Sequence, residues 1–94
     1  MANVTMMALI NKLVEDFNTY SELVALNYEQ KKENECYEGT LQWNRGHLNR
    51  IEEYLLELAD TVGVKLEWEC NVHLFGCDDW QRRLEYRTVH MIPA

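Results

Sequence analysis

The apolar period of this chain changes at Gly63, and that change constrains the fold more than any other feature. Upstream, Met6, Ile10, Leu13, Phe17, Tyr20 and Val24 recur at steps of three and four, as do Leu48, Ile51, Leu55, Leu58 and Val62 after Leu41. Steps of that size return to one face of a helix. Downstream, Val64, Leu66, Trp68, Cys70 and Val72 alternate with Lys65, Glu67, Glu69 and Asn71. A period of two with one apolar face is a half-buried strand. Leu84, Tyr86, Thr88, His90 and Ile92 form a second alternating run, with Glu85, Arg87, Val89 and Met91 on its outer face. The predicted class is α+β, an antiparallel two-helix hairpin followed by a C-terminal β-hairpin (α-α-β-β). It forms a single domain over 1–94, with the helical hairpin at about 4–62 and the β-hairpin at about 64–92.

Local signals place the joints. Asn3 or Thr5 is suited to cap the first helix, which runs from 4 to about 33. Gly39 suits a turn or a helix C-cap, and Thr40 an N-cap for a second helix at 41–62, with the break falling anywhere from Asn34 to Thr40. Gly63 has the position of a C′ glycine, with Val64 placed for the accompanying apolar contact. Gly46 lies inside the second helix, where a glycine permits a close backbone approach. Residues 73–79 read as the hairpin's turn region, and Glu67 and Glu69 are expected to face Arg83 and Arg87 across it. Trp68 is expected to pack on the helices.

Charge narrows the functions available. Acids number 16 and bases 9 in the 94 residues, giving a net charge of -7. Phosphate neutralisation needs an excess of Lys and Arg, so direct nucleic-acid binding is not expected. No apolar run reaches the roughly 18–20 residues of a membrane span, so no membrane partner is expected. The start, MANVTMMALINKLVEDF, lacks the basic, apolar and cleavage regions of a secretory signal. Three cysteines, Cys36, Cys70 and Cys77, are an odd number that cannot pair fully within one chain. Both observations point to a cytoplasmic protein with free thiols.

Few residues carry chemistry. Cys70, His73 and Cys77, with His90 or Asp78 as a fourth ligand, are the residue types zinc uses. There is no paired C-x-x-C, and Cys70 falls in phase with the apolar strand face, so Cys70 reads as a core residue and no metal is expected. No spacing singles out a cysteine–histidine pair for nucleophilic catalysis, although His47, His73 and His90 are present. Glu52-Glu53 read as a solvated helix face, and Asp78-Asp79 as turn residues. The stretch Trp80–Arg87 interleaves aromatics with bases, which in a strand is read first as cross-strand pairing. No cofactor is expected.

What remains is surface. The first helix carries apolar residues on both flanks of its seam, Met7, Val14 and Tyr28 on one and Leu9 and Leu23 on the other. Trp43 lies off the second helix's stripe among polar neighbours, and tryptophan is enriched at binding hot spots. Leu9, Val14, Leu23, Tyr28 and Trp43 are the expected interface. The reading is a small acidic, non-enzymatic interaction protein that self-associates through its helical hairpin, as a dimer or higher oligomer. The alternative is an acidic inhibitor whose helix carboxylates mimic nucleic acid against the basic surface of another protein. A small enzyme using Cys/His or carboxylates ranks third.

Overall fold

The computed structural model describes residues 2–77 and 80–92. Helix α1 (Ala2–Glu33) is followed by a one-turn 3-10 helix (Glu35–Tyr37), helix α2 (Glu38–Val62), strand β1 (Lys65–Cys77) and strand β2 (Trp80–Ile92). The two strands form one antiparallel ribbon. The α-α-β-β order is the one the sequence predicts.

The joint between the helices lies at Asn34, the near end of the expected range, rather than at Gly39. Asn34 takes an extended backbone, φ -149 and ψ 114, and its side-chain oxygen accepts from Cys36 N–H at 3.0 Å. That side chain replaces a lost helical bond and leaves Gly39 in the first turn of α2 as an ordinary helical residue. At the far end, Gly63 does close α2, with φ 84. Its N–H donates to the Asp60 carbonyl at 3.2 Å, and Val64 N–H donates to the Ala59 carbonyl at 2.9 Å. These are the two bonds of a Schellman motif, which requires the left-handed residue that glycine supplies cheaply. Gly46 has open space where a side chain would stand, so no close backbone approach occurs there.

Ile10 and Phe17 of α1, Ile51 and Leu55 of α2 and Val89 of β2 make the buried core. The helical seam is therefore the predicted one, with a polar exception in its middle. Asn44 occupies a seam position and is buried, its amide donating to the Asn27 oxygen at 2.8 Å, while Asn27 donates to Gln30 at 2.9 Å. A buried amide needs such a partner, and a helix pair slipped by one residue would lose it.

The ribbon is longer than expected, and its register differs. Strand pairing continues through His73–Cys77, with Cys77 opposite Trp80. Glu67 pairs with His90 and Glu69 with Thr88, while Arg83 and Arg87 stand opposite Leu74 and Cys70. The expected Glu–Arg pairs do not form, because the register puts them on opposite faces. Leu66 and Trp68 share a face with Met91 and Val89, and these four pack on the core. The second strand's core phase is thus Val89 and Met91, residues the alternation assigned to the outside. Trp68 meets Phe17 edge-on, ring centroids 5.2 Å apart, as expected of a tryptophan packed on the helices.

Farther along, the roles of the two faces exchange. Leu84, on the opposite face from Val89, is also buried, and Tyr86 reaches Glu22 of α1 at 2.8 Å. Cys70, Val72 and Leu74 are correspondingly exposed. A two-stranded ribbon twists strongly, so a strand running 13 residues along one helix turns first one face and then the other towards it. Twist is the reason that Cys70 is not the core residue its phase implied.

Candidate functional site

No catalytic constellation forms among the described residues. Cys70 and His73 lie three apart on β1 and therefore on opposite faces; both are exposed, the thiol of Cys77 lies outside the described residues, and so does Asp78. Cys36 and Cys70 carry free thiols. A different trio does come together. His90 lies 3.5 Å from Glu67 and 3.9 Å from Glu69, all three exposed on the ribbon's outer face. Their nitrogen and carboxylate atoms fall within 4.8 Å of one another, the residue types of a metal site, and a protonated imidazole satisfies the same two carboxylates. The trio was invisible in sequence because only the strand register brings His90 to the glutamates.

The basic residues of β2 are spent within the chain. Arg82 reaches Glu29 at 3.2 Å and Glu33 at 3.0 Å on α1. Arg87 pairs with Glu52 of α2 and lies 5.1 Å from the centroid of Trp68, over its ring. Arg83 pairs with Glu85. The Glu29 carboxyl is held below its ordinary range, first by its bond from Lys32 and then by Arg82. Glu38 is lowered by bonds from Lys31 and Gln42, and Lys31 is raised in return. The Tyr86 hydroxyl is raised, since its proton is held by Glu22.

The feature left over is a strip along the helical hairpin. One end is an open, mainly apolar groove of about 450 Å³ lined by Leu9, Leu13, Tyr54, Glu57, Leu58 and Thr61. A second groove, sharing Tyr54, continues past Asp16, His47 and Arg50 to Trp43. Helical steps of three and four put these residues on one face of each helix, and on α1 that face is roughly opposite Asn18, which binds the ribbon. Leu9 is 51% exposed, Tyr54 60% and Trp43 72%, so no described residue covers them.

The expected interface residues divide accordingly. Leu9 and Trp43 lie on this strip. Val14 is half-buried against the core on the other flank, Leu23 is half-buried, and Tyr28 is exposed. Sequence does not single out Tyr54 and Leu58 on α2; Leu58 reads as seam, and only the packed helices show it lining a groove. No described helix is long and apolar enough to cross a membrane. The chain matches no protein-family model, no curated protein and no solved structure.

Proposed function

We propose that this chain is a non-enzymatic, cytoplasmic interaction protein that self-associates through the open face of its helical hairpin. The observation that carries the reading is the uncovered apolar strip from Leu9 to Trp43. Domains ordinarily bury such stripes between two packed layers. Here the Cα trace measures 52 × 27 × 15 Å, with a radius of gyration of 15.6 Å. A compact chain of this length would have about 12 Å. Its 6660 Å² of accessible surface exceeds the value expected for its mass by about 1,000 Å². A standard interface takes about 800 Å² from each partner.

A second copy suits the strip because the strip contains its own complement. A twofold axis parallel to the helices lays α1 of one copy over α2 of the other. Leu9 and Leu13 then meet Tyr54 and Leu58, and Asp16 meets Arg50, twice over. The four helices form a layer with the ribbons outside. The rival reading, an acidic mimic of nucleic acid, draws on eleven carboxylates in residues 1–63, of which five are ion-paired already. Asp16, Glu29, Glu33, Glu38 and Glu52 all answer to cations of the same chain.

Sedimentation at micromolar concentration tests the proposal. The expected result is a dimer or larger species that Leu9→Glu and Tyr54→Glu each weaken about tenfold or more, since a charge buried in an apolar interface is costly. Both positions are exposed in the single chain, so the variants keep their fold. A species of about 11 kDa for the unmodified protein would reject the reading.

A further inference from the structure

The ribbon has two edges, and among the described residues only one is occupied. Val89 N–H donates to the Asn18 side-chain oxygen at 2.8 Å, and the Asn18 amide donates to the Val89 carbonyl at 2.9 Å. Val89 therefore points its backbone groups at α1 and away from β1, which makes Val89 opposite Trp68 a non-hydrogen-bonded pair. By alternation, the N–H and C=O groups of Leu66, Trp68, Cys70, Val72 and Leu74 point outward from the far edge of β1. Among the described residues no strand pairs with that edge. The same five residues share the face on which Val72 is 43% and Leu74 64% exposed.

We propose that this edge of β1 pairs antiparallel with the same edge of a second copy, joining two ribbons into a four-stranded sheet whose twofold axis passes at Cys70. The sequence of the edge supports a copy of itself as the occupant. About that axis Leu66 meets Leu74 and Trp68 meets Val72, so the exposed apolar end of each strand lies beside the helix-packed end of the other. On the opposite face Glu67 meets His73 and Glu69 meets Asn71, with no like charges opposed. The pairs Leu66–Leu74, Trp68–Val72 and Cys70–Cys70 have the outward-pointing groups needed to form a ladder. An open edge of this length, without proline and with charges only on its polar face, is a template for strand addition. This interface uses residues distinct from the helical strip, so an assembly using both grows beyond a dimer.

Disulfide trapping tests it, because the proposed axis puts Cys70 opposite Cys70. Two full-length single-cysteine chains are compared, one keeping Cys70 (Cys36→Ser, Cys77→Ser) and one keeping Cys36 (Cys70→Ser, Cys77→Ser). Copper–phenanthroline and air are the oxidant; two thiols yield one disulfide, their two electrons passing to oxygen. The Cys70 chain is expected to form covalent dimers about tenfold faster or more, since pairing holds the thiols together. Adding Val72→Lys and Leu74→Lys, both at exposed positions, should return it to the Cys36 rate with the circular dichroism unchanged. Leu9→Glu should leave the Cys70 rate fast, which separates this edge from the helical strip. Equal rates in the two single-cysteine chains would overturn the proposal and leave an extended segment of another protein as the edge's partner. So would fast trapping that survives the lysines, or trapping that Leu9→Glu abolishes.

Discussion

The two edges of the ribbon receive opposite treatment. β2 lies against α1, and its backbone at Val89 is met by the carboxamide of Asn18, which donates and accepts as a neighbouring strand would. Tyr86 and Arg82 tie the same strand to Glu22, Glu29 and Glu33. Among the described residues β1 has no such cover beyond its first residues, where α2 ends. A two-stranded ribbon is all edge, and it is marginal alone. A helix can seal one side by side-chain mimicry, but the other side is then left facing outward. The comparison teaches that the ribbon's stability is one-sided, and substitutions on the two strands should behave accordingly.

The largest effect should come from the shared root of both strands. Trp68→Ala removes the ring that packs on Phe17, and denaturant melts should show a loss of about 3–5 kcal/mol. A loss under about 1 kcal/mol would mean that the ribbon is not anchored there. Next comes the sealed edge itself. Asn18→Ala strips both partners from the Val89 backbone and should cost about 2–3 kcal/mol. Asn18→Asp keeps the acceptor and loses the donor, so it should retain part of that; equal losses from the two would break the strand-mimic account. Tyr86→Phe deletes a single bond to a carboxylate and should cost about 1–2 kcal/mol.

The pH dependence of the sealed side follows from the same contacts. Glu29 is lowered by Lys32 and Arg82, so the folded state binds fewer protons than the unfolded one. Its contribution is present above the ordinary carboxylate range and lost as pH falls through and below that range. Tyr86 is raised, so its contribution is complete below the ordinary tyrosine pKa and is lost as pH rises beyond it. Melting midpoints of Glu29→Gln and the parent should therefore converge in acid, and those of Tyr86→Phe and the parent in strong base. The smallest effect belongs to the open edge. Val72→Lys should change the stability of the single chain by no more than about 0.5 kcal/mol. A larger loss in dilute, monomeric protein would show that β1's outer side is covered after all.

Much of this architecture is determined by sequence alone. The switch of period at Gly63 sets two helices before two strands, and the glycine's left-handed cap ends α2 where the pattern stops. The apolar seam of Ile10, Phe17, Val24, Ile51 and Leu55 is buried as its spacing requires, because helical phase is a local property. The sites were less legible. The first joint falls within the range the sequence allows, at Asn34 rather than at Gly39, because a side-chain hydrogen bond, not glycine's freedom, supplies the turn. Strand phase failed at Val89 and Cys70 because alternation names two faces without saying which is covered, or where twist exchanges them. Only the tertiary structure decided the register, and the register decided the rest: Glu67 and Glu69 beside His90, Arg87 beside Glu52, Asn18 on Val89, and β1 turned outward. A strand's pairing partners lie dozens of residues away, so their identity depends on how twist and helix packing close the whole chain.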